Sequence, residues 1–172
     1  MRYQLVLLLM YFSVATATNF KFVGISKFGT AFLSNNKVMV SGRNDDCSLG
    51  LGYTDTAKVI STPETVFADG IVDLDCGSHF CCVVKSDGTV WCWGQNTLGQ
   101  LGDGGTTNAC SPQQVTDTEV SSHTIDGIRC SSSMCHARKS SDGSLIVWGK
   151  TLQSATGTGS GDNNVVLSPK AV

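Results

Sequence analysis

The chain has 172 residues and a formal net charge of −2, so no strong electrostatic field attracts it to nucleic acid or to an anionic membrane. It contains 19 glycines and many serines and threonines, whereas glutamate occurs only at positions 64 and 119. Because long helices are rich in alanine, glutamate, lysine and leucine, this composition excludes a mainly helical protein.

The first predicted element is an export signal. Arg2 precedes an apolar run at 5–12, which is followed by the small-residue pattern A-T-A at 15–17. This layout is typical of a secretory signal peptide, and the run is shorter than the roughly 20 apolar residues that a membrane span needs. We therefore expect residues 1–17 to be removed and residues 18–172 to form one secreted domain. A retained membrane anchor is the alternative.

The rest of the chain contains three copies of one repeat, at about 19–70, 71–127 and 128–172. The middle copy reads SDGTVWCWGQNTLGQLG at 86–102, and SNNKVMVSGRNDDCSLG stands 52 positions earlier at 34–50. The third copy repeats the D-G and W-G pairs 55 positions later. Each copy closes on a proline that is followed three residues later by valine, at Pro63, Pro112 and Pro169.

The middle copy predicts a β-hairpin around a Ser-Asp-Gly turn. Runs rich in β-branched and aromatic residues at 79–85 and 89–93 flank this turn, and its register sets Cys82 opposite Cys92. Short strands of this kind, separated by glycine-rich loops and repeated about every 50 residues, indicate stacked antiparallel sheets. The predicted fold is therefore all-β, with three propeller-blade-like repeats that form a partial or open β-propeller.

The segment 77–115 resembles the repeat of the regulator of chromosome condensation family. It carries that family's G-x-x-H, D-G, W-G-x-N, G-Q-L-G and P-x-x-V motifs in order. The outer copies are degenerate, since Cys47-Ser48 replaces Gly-Gln in the first and the third lacks W-G-x-N and G-Q-L-G. The resemblance implies a four-stranded blade per repeat and a usual ring of seven blades. Structural roles are expected for His79, Asp87, Gly88, Trp93, Gly94, Gly102, Trp148 and Gly149.

Eight cysteines in a chain addressed to an oxidising compartment predict disulfides. Hairpin register pairs Cys82 with Cys92, and secreted members of the family carry a similar pair. A shared five-residue offset suggests two local pairs and leaves two cysteines over, although six cysteines allow many connectivities. These further pairs are Cys76 with Cys81, Cys130 with Cys135, and Cys47 with Cys110. The clusters around His79 and His136 fit zinc spacing only loosely, so no metal is expected.

No acidic and basic residues have a spacing that indicates catalysis, so we expect neither an enzyme nor a cofactor. The leading hypothesis is a secreted, non-catalytic protein–protein interaction module that binds or inhibits an extracellular protein. Its contacts are expected in the loops 95–111 and 150–164. Candidate contact residues are Trp91, Asn96 and Gln100. The alternatives are a secreted carbohydrate-binding propeller with a glycan partner, and a fragment or degenerate product of a longer propeller.

Three blades cannot close a ring of the usual size. A blade leaves apolar faces that its neighbours must cover. We therefore expect self-association that covers open blade faces, and no partnership with nucleic acid or membrane.

Overall fold

The computed structural model describes residues 21–25, 29–150 and 165–172. The predicted export signal and most of the loop at 150–164 lie outside the described residues. Within them the chain forms three four-stranded antiparallel sheets, each built from consecutive strands. The predicted all-β fold of three blade-like repeats is thereby confirmed.

The three sheets are named blades 1 to 3. Blade 1 contains β1 (Lys21–Ile25), β2 (Gly29–Ser34), β3 (Lys37–Asn44) and β4 (Asp55–Phe67). Blade 2 contains β5 (Ile71–Cys76), β6 (Phe80–Lys85), β7 (Val90–Gly94) and β8 (Ala109–Gln114). Blade 3 contains β9 (Ile125–Cys130), β10 (Met134–Lys139), β11 (Leu145–Lys150) and β12 (Val165–Ala171). A 3-10 turn (Asp45–Cys47) follows β3, and the short helix α1 (Thr118–Ser121) joins blades 2 and 3.

The hairpin of blade 2 has the predicted register, with Cys82 opposite Cys92 and Val84 opposite Val90. Its turn is closed by Asp87, whose Oδ1 accepts hydrogen bonds from the backbone N–H and the hydroxyl of Thr89 at 3.0 and 2.7 Å. These hydrogen bonds lower the pKa of Asp87. Gly88 adopts φ +83°, which a glycine reaches without a steric penalty. Local turn chemistry thus accounts for the D-G pair.

The closing prolines lie on the last strand of each blade. Pro63 is in β4, Pro112 in β8 and Pro169 in β12, and each of these strands stands at one edge of its sheet. Proline has no N–H to donate, so it is tolerated at an edge and discourages pairing with another chain there. The proline of the P-x-x-V motif therefore protects the edge strand of each blade from pairing with another chain.

The hydrophobic core lies between blades. One cluster joins blades 1 and 2 through residues such as Leu33, Val40, Leu74 and Val83, and another joins blades 2 and 3. The first strands of neighbouring blades also meet, because β5 packs against both β1 and β9. No helix in the described part of the chain is long and apolar enough to cross a membrane.

Candidate interaction surface and the joints that position it

A buried tryptophan joins each blade to the one before it. Trp93 of blade 2 donates its indole N–H to the carbonyl oxygen of Ser48 in blade 1 at 3.1 Å. Trp148 of blade 3 donates in the same way to the carbonyl oxygen of Gln100 in blade 2 at 2.8 Å. Both rings are fully buried. Trp93, expected to be the packed tryptophan of its strand, therefore anchors one blade to another.

Each tryptophan packs against a Leu-Gly pair in the loop between the third and fourth strands of the preceding blade, which we call the tryptophan socket. Leu49-Gly50 forms the socket for Trp93, and Leu101-Gly102 forms that for Trp148. Gly50 and Gly102 have φ values of +70° and +68°. A Cβ atom there would lie 2.6 Å from Cδ1 of Trp93 and 2.9 Å from Cδ1 of Trp148, respectively, which is too close for any side chain. The expected structural role of Gly102 is thus contact with the next blade.

Asn96 and Gln100 have a different role from the one expected. The side chains are 0% and 1% exposed. Asn96 accepts the Leu101 N–H at 2.9 Å and donates to the Asp103 carboxylate at 2.9 Å, and Gln100 accepts the Leu98 N–H at 2.7 Å. These bonds hold the loop in shape, so neither residue is available as a ligand contact. Asn44, which stands 52 positions earlier, makes the same bond to Leu49 in blade 1, so the repeated asparagine was the sequence signal for this structural role.

The loop that follows β7, expected to be a contact surface, is largely used to hold blade 3. Gly104 donates its N–H to the carbonyl oxygen of Leu167 in β12 at 3.1 Å, and Gly99 packs against the same leucine. The equivalent loop of blade 1 donates from Gly52 to the carbonyl oxygen of Cys110 in β8 at 2.7 Å. Each such loop therefore joins one blade to the next.

Trp91 is half-buried and also has contacts within the chain. Its ring meets Phe67 of blade 1 edge-on, with 6.3 Å between centroids, and its indole N–H donates to the Thr89 hydroxyl at 3.1 Å. The Lys85 ammonium lies 5.7 Å from the ring centroid. Trp91 thus packs against a neighbouring blade while part of the residue stays exposed to solvent.

His79 and the two W-G glycines support the strand ends. The carbonyl oxygen of His79 accepts the Gln95 N–H at 2.9 Å, and its Nδ1 lies 3.8 Å from the Asp46 carboxylate. Gly94 and Gly149 have φ values of +105° and +96°, and a Cβ at either would collide with backbone of the preceding strand. The structural role expected for these residues agrees with their contacts.

All eight cysteines lie in disulfides, in the pairs suggested by the sequence. Cys47–Cys110 connects blade 1 to the last strand of blade 2, whereas the other three bonds lie within a blade. The Sγ atoms of Cys82, Cys130 and Cys135 lie within 4.8 Å of one another. Sulfurs of two different disulfides, one in blade 2 and one in blade 3, therefore lie close together, and nothing in the sequence indicated this proximity.

Asp73 joins all three blades along their first strands. Its carboxylate contacts the Lys21 ammonium of β1 at 2.9 Å, and it accepts from the Ile128 N–H at 3.0 Å and the Arg129 guanidinium at 2.7 Å. Burial alone would raise the pKa of Asp73, but these three donors outweigh it and hold the pKa below its ordinary value. Asp75 reinforces this contact by accepting the Cys130 N–H at 2.9 Å.

The face of blade 3 that points away from blade 2 is the candidate interaction surface. Cys135 and Ala137 of β10 pack in the core toward blade 2, so the alternate residues His136 and Arg138 point the other way. A cavity of about 490 Å³ extends from this face to the joint with blade 2, since Asp73 of β5 also lines it. Its walls are Asp73, Asp126, Gly127, Ile128, Arg129, His136, Arg138 and Leu145.

This outer face of blade 3 carries charged and polar side chains beside the apolar Leu145. Arg138 forms a two-point ion pair with Asp126, at 2.8 Å from Nε and 3.1 Å from Nη2. Partial burial lowers the pKa of His136, which favours the neutral imidazole. In blade 2 the same register positions are occupied by Cys82 and Val84, which pack on blade 3. The two blades therefore present opposite chemistry on equivalent faces.

The chain matches the model described as the regulator of chromosome condensation (RCC1) repeat twice, at 71–100 and 87–137. It is 36% identical over 81 residues to the X-linked retinitis pigmentosa GTPase regulator of Canis lupus familiaris, covering 46% of this chain and 8% of that protein. It is 28% identical over 134 residues to the E3 ubiquitin-protein ligase HERC2 of Homo sapiens, covering 76% and 3%. The chain thus spans less than a tenth of the length of either relative.

Solved structures share the fold. Human WBSCR16 superimposes with a TM-score of 0.72 at 21% identity, covering 86% of this chain and 37% of that one. Prp20p of Saccharomyces cerevisiae, described together with its binding to Gsp1p and histones, has a TM-score of 0.73 at 15% identity, covering 88% and 37%. At these identities the likeness concerns the fold alone.

Proposed function

We propose that this chain, which is an RCC1-like repeat protein, is a secreted, non-catalytic interaction module that binds another protein outside the cell. Protein binding is in keeping with the fold, since Prp20p is described with protein partners. The observation that carries the proposal is the polar, cavity-bearing outer face of blade 3. Function rests on this surface, because a fold by itself does not determine a function.

The polar face favours a partner over a further blade of the same kind. A blade stacked as blade 3 stacks on blade 2 would bury His136 and the Arg138–Asp126 pair. Removing such charges from water costs several kcal/mol per ion unless new partners replace the water. A protein surface with its own polar groups can supply those partners. The expected self-association through apolar blade faces therefore has no support at blade 3.

Secretion is supported by the cysteines together with the N-terminal pattern. Every cysteine has a bonded partner, and disulfides persist in oxidising compartments. A chain exported through such a compartment loses its signal peptide at the A-T-A site. We expect the exported protein to begin at Thr18.

A glycan partner has less support. Sugar-binding surfaces use open tryptophan faces, whereas Trp93 and Trp148 are fully buried and Trp91 packs against Phe67. The protein partner is therefore favoured, and glycan binding becomes an outcome of the test.

Secretion is tested by expressing the full chain in a eukaryotic secretory host and by determining the N-terminus and thiol content of the product. The expected product is found in the medium, begins at Thr18 and has no free thiol. An uncleaved product that is retained in the cell with free thiols would contradict the proposal.

The binding surface is tested with a photo-crosslinking residue at Leu145, which is 40% exposed on the outer face of blade 3. The matched control places the same residue at Val59, which is 51% exposed on the edge strand of blade 1. The mature protein is illuminated with extracellular proteins of the source organism. A discrete adduct from position 145, lost on Arg138→Glu and absent from position 59, is expected. Identical adducts from both positions, or binding to a glycan array alone, would overturn it.

A further inference from the structure

Two disulfides of neighbouring blades touch in the core. Cys82–Cys92 joins β6 to β7, and Cys130–Cys135 joins β9 to β10. The Sγ of Cys135 lies 3.7 Å from the Sγ of Cys82, which is sulfur–sulfur contact across the boundary between blades 2 and 3. A bond of ordinary length between them needs an approach of only about 1.7 Å.

The four sulfurs differ in accessibility. Cys82, Cys92 and Cys135 are fully buried, whereas Cys130 is half-buried at the end of β9. Exposed serines follow it at 131 and 132. Because an attacking thiolate must reach a sulfur directly, Cys130 is the one of these four cysteines that an external thiol reaches first. The sulfur released by that attack is Cys135, the one that lies against Cys82.

We propose that Cys130–Cys135 and Cys82–Cys92 form a thiol–disulfide exchange site whose substrate is an external dithiol. One thiolate of the dithiol attacks Cys130, which forms a mixed disulfide and leaves the electron pair on Cys135. The Cys135 thiolate attacks Cys82, forms a Cys82–Cys135 bond and releases Cys92, which takes a proton. The second thiol of the reductant then resolves the mixed disulfide and leaves Cys130 as a thiol.

The balance is one dithiol oxidised to a disulfide and two thiols formed on the protein, at Cys92 and Cys130. The product has one disulfide where there were two, and that bond now links blade 2 to blade 3. Blades 1 and 2 are already linked by Cys47–Cys110. Exchange therefore completes a covalent connection through all three blades.

The exchanged bond restrains the unfolded chain more than the bond it replaces. The Cys82–Cys92 bond spans 10 residues, whereas Cys82 and Cys135 are 53 apart. Closing the longer loop restrains the unfolded chain more, by a factor of about 10 in the folding equilibrium. The exchange site is independent of the proposed binding partner, so either proposal can fail alone.

Limited reduction followed by peptide mapping tests the proposal. The oxidised full chain is treated at neutral pH with about one equivalent of dithiothreitol, free thiols are alkylated, and trypsin is applied without further reduction. Trypsin separates the relevant cysteines into the peptides 44–58, 59–85, 86–129 and 130–138. Before reduction, 59–85 is linked to 86–129, and 130–138 is closed on itself.

The expected result is a new peptide pair in which 59–85 is linked to 130–138, with single alkylation at Cys92 and Cys130. It should exceed doubly alkylated 130–138, because the Cys135 and Cys82 sulfurs are already in contact in the folded protein. The proposal is overturned if 130–138 carries two alkyl groups while 59–85 stays linked to 86–129, or if a disulfide elsewhere opens first.

Two variants separate exchange from simple reduction. Cys82→Ser with Cys92→Ser removes the acceptor bond, so reduction should alkylate both Cys130 and Cys135. Cys76→Ser with Cys81→Ser is the matched control, because it removes a disulfide of the same five-residue span as Cys130–Cys135, and the new pair should still form. Circular dichroism checks the fold of each variant. If the first does not fold, the map of the natural sequence still decides the question.

Discussion

The two joints of the molecule use the same tryptophan socket but are reinforced differently. Asn96 and Gly99, between the third and fourth strands of blade 2, correspond to Asn44 and Cys47 at the same place in blade 1. At the joint of blades 2 and 3, Gly99 packs against Leu167. At the joint of blades 1 and 2, the Cys47–Cys110 disulfide occupies the equivalent position. Cys47 even keeps the backbone of the glycine, with φ +64° against +72° for Gly99.

The joint of blades 2 and 3, which has no covalent bond, is reinforced by polar contacts along and beside the first strands. Asp73 and Asp75 accept the N–H groups of Ile128 and Cys130. The hydroxyls of Ser78 and Ser132 lie 3.0 Å apart. One repeat architecture thus tolerates two kinds of reinforcement, a covalent one and a polar one, because the tryptophan socket already sets the alignment of the blades.

The largest expected loss of stability comes from replacing a socket tryptophan, and it should differ between Trp148 and Trp93. Trp148→Ala should lower the free energy of unfolding by about 3–5 kcal/mol and should detach blade 3, which no disulfide holds to blade 2. Trp93→Ala leaves a similar cavity, but blade 1 stays tethered. Urea denaturation and hydrogen exchange of the blade 3 peptides measure both. A larger loss in the Trp93 variant would break the comparison.

The second largest expected loss of stability comes from removing the Cys47–Cys110 disulfide, which connects blades 1 and 2. Cys47→Ser with Cys110→Ser should lower the free energy of unfolding by up to about 4 kcal/mol, because this bond closes a loop of 63 residues. The control, Cys76→Ser with Cys81→Ser, opens a span of five residues and should cost about 2 kcal/mol. Equal losses in urea denaturation would show that loop length does not explain the stabilisation.

A disulfide equivalent to Cys47–Cys110 should also form between blades 2 and 3. Gly99→Cys with Leu167→Cys places cysteines at the positions equivalent to Cys47 and Cys110, and should stabilise the oxidised protein by about 2 kcal/mol. The melting temperature, measured with and without reductant, reports the gain. An oxidised variant with an unchanged or lower melting temperature would indicate that the two joints are not equivalent in geometry.

The polar contacts between the first strands are tested by replacing Asp73. Asp73→Asn should cost about 1–2 kcal/mol, since it weakens two charge-assisted contacts. The folded-state pKa lies below the ordinary 3.8, so the carboxylate stabilises the fold above that pH and this stabilisation is lost as the pH falls through the folded value. The variant should therefore have a flatter acid limb in its stability profile. The control Asp126→Asn removes an exposed ion pair and should have a smaller effect.

The smallest expected effect concerns His136. Burial lowers its pKa from the ordinary 6.5, so the unfolded chain binds a proton more readily than the folded one. Its contribution to stability is present above pH 6.5 and is lost as the pH falls through the folded value. His136→Gln should reduce the loss of melting temperature between pH 7 and 5. An unchanged pH profile would mean that the imidazole is solvated.

Within a blade, the sequence was sufficient to predict the central hairpin. The register of Cys82 opposite Cys92 follows from a turn three residues long, and the Asn35-Asn36 turn follows from the tolerance of asparagine for positive φ, here 51° and 62°. Local interactions decide both features. The burial of Asn96 and Gln100 was missed because their hydrogen-bond partners surround them only when the whole loop is folded.

By itself, the sequence determined the number of repeats, the central hairpins, the closing prolines and the resemblance to the RCC1 repeat. Tertiary structure alone decided which residues meet across blades. These include Trp93 with the Ser48 carbonyl, Asp73 with Lys21 and Arg129, and Cys135 with Cys82. The partners in these contacts are about 45 to 56 residues apart, and whether they meet depends on how one sheet stacks on the next. Turn and strand preferences act over a few residues, whereas stacking is set by the packed faces of whole blades.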